Sequence, residues 1–139
     1  DVVLLSGGTS KGQGDLNAKI VGSLEPGVIV HGVALKPGKP ICLAVSGKTP
    51  VVVLPGFPTS AVFTFHEFVA PLIRELAGLG PERRQEISAK LAITTQSERG
   101  RLEYLLVGLV ENDSGDLSAY PMGIGASGAW PQPAGLELR

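Results

Sequence analysis

Short apolar runs separated by glycine- and proline-rich loops set the rhythm of the first half of the chain. Val2–Leu5 is a continuous apolar run, which predicts a strand buried on both faces. Asp15–Leu24 carries apolar residues at 16, 20, 21 and 24, a helical spacing, and Pro26-Gly27 ends it. Val28–Leu35, Ile41–Val45 and Val51–Leu54 read as three further strands, joined by KPGKP and by the five-residue SGKTP. From about Thr59 to Ala77, the residues Val62, Phe65, Val69, Leu72, Ile73 and Leu76 recur at intervals of three and four and form one apolar stripe. Thr59 or Ser60 suits the N-cap of this helix. Pro71 lies inside it and predicts a kink or a lost hydrogen bond.

The pattern changes at Gly78–Gln85 (GLGPERRQ), a charged linker. Beyond it Ile87, Ala89, Leu91 and Ile93 alternate with Ser88, Lys90 and Thr94, as in a strand with one buried face. Leu102–Val110 predicts another strand, and the turn ENDSGDL leads to a short strand ending at Tyr120. From Met122 onward no periodicity is evident. The organisation expected is α/β: residues 1–79 form a domain with a mixed sheet, and residues 80–139 a small all-β domain.

Loop lengths fix the strand directions. With the first strand pointing up, a helical return makes the second point up as well. KPGKP is too short for a crossover, so the third strand runs down and the fourth runs up. The glycine loop SGGTSKG, the KPGKP turn and the PGFPTS loop then share one edge, where open α/β sheets bind ligands.

Composition narrows the function classes. The chain has 139 residues, 43% of them hydrophobic, enough for a packed core. Its net charge is −1 with scattered basic residues, which argues against sequence-independent nucleic-acid binding. No apolar run approaches the roughly 20 residues of a membrane span, and no signal-peptide pattern is present. One cysteine, Cys42, fits a reducing cytoplasm. The sequence enters a strand straight from Asp1, without Met, as a fragment of a longer polypeptide would. Such a half-sheet leaves an unpaired edge and is expected to oligomerise.

Each loop of the shared edge suits an anion. Gly7 and Gly8 let backbone N–H groups approach a ligand, and Ser10 adds a hydroxyl donor. The pattern is not a P-loop, because Gln13 stands where GxxxxGK[ST] requires Lys. In KPGKP, Pro37-Gly38 fits the centre of a type II turn, which brings the Cα atoms of Lys36 and Lys39 within about 7 Å. The two ammonium groups either hold an anion between them or are simply solvated. In LPGFPTS, Pro55, Gly56 and Pro58 shape a turn into a helix, and Ser60 caps that helix or touches a ligand. Asp15 either helps bind Mg²⁺ on ligand oxygens or caps its own helix. His31, His66 and Cys42 have no partners at metal-ligand spacing and read as surface or core residues.

Read together, SGGTSKGQGD (Ser6–Asp15), LKPGKP (Leu35–Pro40), LPGFPTSAVFTF (Leu54–Phe65) and GRLEY (Gly100–Tyr104) closely resemble the molybdopterin molybdenumtransferases, the molybdenum insertases that include the E domain of gephyrin. HGVALKPGKP and GFPTSAVFTFHEFVAP are most similar to a branch fused to a periplasmic-binding-protein-like domain. The resemblance implies half of a three-layer molybdopterin-binding domain followed by the C-terminal β domain. It implies adenylylated molybdopterin and molybdate as substrates, Mg²⁺ as cofactor, and release of AMP. It maps Asp15, Lys36 and Lys39 onto catalytic positions, with Asp15 also at the metal. Gly7, Gly8, Ser10, Pro55, Gly56, Pro58, Ser60, Arg101 and Ser127 map onto substrate-binding positions, with Arg99 the alternative to Arg101. It further implies a homodimer whose partner chain completes the site, and an isolated fragment that is inactive; the lack of a long apolar run speaks for no membrane partner. Phe57 stands where the family often has Asn, and Pro133-Ala134-Gly135 where it usually has Ala-Asp-Gly.

Two other functions compete with the insertase. One is a non-catalytic molybdopterin- or molybdate-binding sensor module, which would bind without releasing AMP. The other is the related adenylyltransferase activity on the same α/β fold, which leaves KPGKP and the C-terminal β domain without a role.

Overall fold

The computed structural model describes residues 1–7 and 16–122. The elements, in chain order, are β1 (Val3–Ser6), α1 (Leu16–Gly22), β2 (Pro26–His31), β3 (Leu35–Lys36), β4 (Cys42–Ser46), β5 (Thr49–Leu54), α2 (Pro58–Thr64), a π-helical turn (Phe65–Val69), α3 (Ala70–Leu76), β6 (Lys90–Leu91), β7 (Leu102–Glu103), β8 (Val107–Glu111) and β9 (Leu117–Pro121). They divide into two units. Among the described residues, the first holds 1–7, 16–84 and 99–104, and the second holds 85–98 and 105–122.

In the first unit a four-stranded sheet runs in the order β1-β5-β4-β2. β1 is parallel to β5, while β4 is antiparallel to both β5 and β2. These are the up, up, down, up directions that the loop lengths require. Two-residue alternation sorts the side chains of the central strands onto opposite faces. Cys42, Ala44, Val51 and Val53 pack with Val21 of α1, joined by Leu5 and Leu24. On the other face Ile41 and Val52 pack with Val69, joined by Phe65 and Phe68. Helices on both faces of a mixed sheet make a three-layer α/β unit.

Several sequence expectations need correction. β1 is not buried on both faces, for it lies at the sheet's edge with Val3 43% and Leu4 41% exposed. The second strand stops at His31, and Leu35–Lys36 leaves the sheet to pair in parallel with β7. The SGKTP loop is shorter than expected, because β5 begins at Thr49 and only Gly47 and Lys48 lie between the strands. The long helix is capped by neither Thr59 nor Ser60. Phe57 occupies the N-cap with no side-chain hydrogen bond, and Pro58 takes the first turn, where its missing N–H costs nothing.

Pro71 acts as its chemistry demands. It has no N–H to offer the Glu67 carbonyl, and the turn before it relaxes to π geometry, with Ala70 N–H donating to Phe65 O. The helix ends in a Schellman motif: Leu79 N–H donates to Arg74 O and Gly78 N–H to Glu75 O, with Gly78 at φ +69°.

The segment read as one strand over 102–110 is two strands in two units. β7 and Tyr104 belong with the first unit, although the composition shift near residue 80 placed them beyond it. In the second unit β6, β9 and β8 form a three-stranded sheet. The alternation over 87–93 yields only the two-residue β6, and all of residues 80–102 are exposed. The predicted turn before β9 is present. Asn112 Oδ1 accepts from the Ser114 and Asp116 N–H groups at 3.0 and 2.9 Å. The expectations for residues from Gly123 onward lie outside the described residues.

Candidate functional site

Three of the four motifs singled out in the sequence converge on the edge where β1 and β5 end. Gly7 N–H donates to Leu54 O at 3.0 Å, so the start of the glycine loop is fastened to the start of the PGFP loop. A Cβ on Gly56 would come within 3.4 Å of Gly7 Cα, which shows how closely the two backbones approach. Asn17, the second residue of α1, donates from Nδ2 to Gly7 O at 2.9 Å. The sequence reading gave Asn17 no role, and nothing in its spacing marks it.

The KPGKP turn packs against the helix that the PGFP loop opens. Gly38 has φ +118°, and a Cβ there would fall 2.4 Å from Thr64 Cγ2 and 3.7 Å from Ser60 O. Thr64 is fully buried, with its hydroxyl donating to Ser60 O at 2.8 Å. The chain turns over residues 37–40, where Ile41 N–H donates to Gly38 O at 3.2 Å and the Lys36 carbonyl accepts from Tyr104 N–H at 2.8 Å.

That last bond brings in the fourth motif. Leu102 and Glu103 pair with Leu35 and Lys36, and Leu102 N–H donates to Ala34 O at 2.9 Å. The Lys36 ammonium stands 2.9 Å from Glu103 Oε1. The Tyr104 ring stacks on Phe63 with centroids 5.3 Å apart, and its hydroxyl donates to Glu67 Oε2. Arg84 lies 3.6 Å from the same Glu67 oxygen. The hydrogen bond to Glu67 holds the Tyr104 phenol above its ordinary range, and desolvation pushes the same way. Glu67, Glu103 and Tyr104 were not assigned roles from the sequence. Their signal is a distance of more than thirty residues closed only by folding.

Of the sequence-predicted site residues, Gly7, Lys36, Lys39, Pro55, Gly56, Pro58 and Ser60 lie on this edge and Arg101 lies in the same unit. Pro55 is fully buried, whereas Gly56, Phe57, Pro58, Lys39 and Arg101 are exposed. Gly8, Ser10, Asp15 and Ser127 lie outside the described residues. His31 and His66 are exposed and Cys42 is buried, in keeping with surface and core roles. Among the described residues no group of three or more His, Cys, Asp and Glu could hold a metal ion. Nor is any helix among them long and apolar enough to cross a membrane.

Comparison with known proteins gives this edge a context. The family described as "Probable molybdopterin binding domain" matches residues 1–75. A molybdopterin molybdenumtransferase of Nostoc sp. is 39% identical over 82 residues, 57% of this chain and 19% of its own length. Molybdopterin molybdenumtransferase 2 of Mycobacterium tuberculosis is 31% identical over 125 residues, 86% of this chain and 31% of its own. The crystal structure of a molybdopterin biosynthesis protein from Pyrococcus horikoshii superimposes with a TM-score of 0.61 at 34% identity, covering 91% of this chain and 29% of that one. The chain thus spans less than a third of the length of these relatives.

Proposed function

Because the chain belongs to the molybdopterin-binding domain family, we propose that it works in molybdenum cofactor biosynthesis, inserting molybdenum from molybdate into adenylylated molybdopterin with release of AMP. One observation carries the reading: the glycine loop, KPGKP and PGFP meet on a single sheet edge through Gly7–Gly56 and Gly38–Thr64 packing. Each of these loops brings a different kind of group to an anion.

In this reading the backbone of Gly7, Gly8 and Gly56 lies against the ligand's pyrophosphate, shaped by Pro55 and Pro58. Ser10, Ser60 and Ser127 donate hydroxyl hydrogen bonds, and Arg101 pairs with ligand charge. Lys36 and Lys39 hold the oxyanion and the pterin phosphate, where two ammonium groups offset charge that builds as the phosphoanhydride breaks. The described residues do not by themselves make a metal site, so no step is assigned to Mg²⁺. Its place in the proposal is on ligand phosphates beside Asp15, since Mg²⁺ is commonly held by one or two carboxylates plus phosphate oxygens. The reading carries with it a homodimer whose second chain completes the site, and a cytoplasmic location.

AMP release from adenylylated molybdopterin by the full-length polypeptide, measured with and without molybdate, tests the proposal. Molybdate-dependent release that collapses in Asp15→Asn supports it. Tight binding of the same ligand without release, in the unaltered protein, would replace it with a binding or sensor module.

A further inference from the structure

The first lysine of KPGKP already has an anionic partner inside the protein. Lys36 Nζ lies 2.9 Å from Glu103 Oε1, with the lysine side chain 44% exposed and the glutamate 16%. The backbone sets this pairing. β3 and β7 are parallel neighbours with Lys36 directly opposite Glu103, and hydrogen bonds from Leu102 N–H to Ala34 O and from Tyr104 N–H to Lys36 O bracket the pair. The next residue is fixed in turn, with the Tyr104 ring on Phe63 and its hydroxyl on Glu67. Most exposed ion pairs join two freely rotating side chains and contribute little. Here the carboxylate is mostly buried and delivered by an anchored strand to one particular lysine.

We infer that Glu103 is a positioning residue and an internal counter-ion for Lys36. It holds the ammonium at the loop edge and competes for it with the incoming anion. This inference rests on the reading of that edge as an anion seat. Its consequence is selectivity by charge. A singly charged anion gains little from a lysine already neutralised at 2.9 Å, and it also meets the like charge of Glu103. A doubly charged tetrahedral oxyanion or phosphate monoester retains a net attraction to Lys36 and Lys39 together.

Titration of the full-length protein with tungstate, as a dianionic probe, tests the inference in wild type, Glu103→Gln and Glu103→Asp, with the thermal midpoint of each recorded. Glu103→Gln keeps the size and removes the competing charge, so tungstate should bind about fivefold more tightly at low salt. That gain should shrink as salt screens the half-exposed lysine. Glu103→Asp keeps the charge and should stay near wild type. A purely structural role would instead weaken binding or leave it unchanged in Glu103→Gln, and either result overturns the inference while leaving the anion seat standing. If wild type and Glu103→Gln both fail to bind tungstate, the anion seat itself falls, and the inference with it.

Discussion

Strands β5 and β8 are both short, apolar and paired with an antiparallel neighbour, yet they occupy different surroundings. Val51, Val52 and Val53 of β5 are 4%, 3% and 0% exposed. In β8 Leu109 is 44% exposed, and Ala119 on β9 is the only buried hydrophobic among the described residues of the second unit. Apolar sequence alone did not bury either strand. What buries β5 is a helix on each face, and no helix stands among the described residues of the second unit. The first unit should therefore open only with its core, while the sheet of β6, β9 and β8 opens at a lower free energy. Residue-resolved hydrogen exchange would read this as slow amides in β4 and β5 and faster ones in β8 and β9.

Matched glycines give the largest expected contrast. At Gly38 an added methyl meets Thr64 Cγ2 at 2.4 Å on a backbone at φ +118°, whereas at Gly108 in β8 it meets nothing within 4 Å. Gly38→Ala should cost about 3 kcal/mol, and Gly108→Ala should fall within about 0.5 kcal/mol of wild type. Urea unfolding measures both. Equal effects would mean that the two units are packed alike.

Core truncation gives the next contrast. Val53→Ala removes two methyl groups from a site with no exposed surface and should destabilise by about 2 kcal/mol. Leu109→Ala removes more atoms from a half-exposed site and should cost less, about 1 kcal/mol or below. Thermal unfolding followed by near-UV and far-UV signals together would rank them. A larger loss at Leu109 would show that its face is covered after all.

Smaller still is the anchor of the GRLEY segment. Tyr104→Phe keeps the stack on Phe63 but loses the hydrogen bond to Glu67, a cost of about 1 kcal/mol. The phenol's pKa is raised above 10.0 in the folded protein. Folding therefore favours the protonated form, and this contribution is whole below the unfolded value near 10. It is lost as pH climbs through the folded value. The difference between wild type and Tyr104→Phe should be flat from neutral pH to about pH 10 and shrink above it. Urea unfolding across that range checks the sign. A difference that grows with alkalinity would contradict it.

Much of the first unit was legible because its signals are local. Short loops forced the strand directions, and Pro71 announced the irregular turn before it. The shared edge followed from those directions: Gly7 and Gly56 meet there, and Gly38 packs on Thr64 of the helix that the PGFP loop opens. What could not be read depends on pairing between distant residues. Val2–Leu5 looks like a central strand because a run of apolar side chains cannot state how many neighbours it has. Leu102–Val110 looks like one strand because apolar content does not show that Tyr104 is held by Glu67 while Val107 turns to Pro121. The Lys36–Glu103 pair was hidden for the same reason, and both residues needed β3 to leave the main sheet before they could face each other.

Cys42 gives this layered arrangement a clock. The chain's one cysteine sits at 0% exposure in β4, opposite His31 on one side and Val53 on the other. A thiol reagent can reach its sulfur only during the moments when the layers part. At low reagent the labelling rate counts the fraction of time spent apart, and at saturating reagent it counts the partings themselves. One native atom thus times how long the edge that gathers the three loops stays assembled, and any ligand held there would slow the clock.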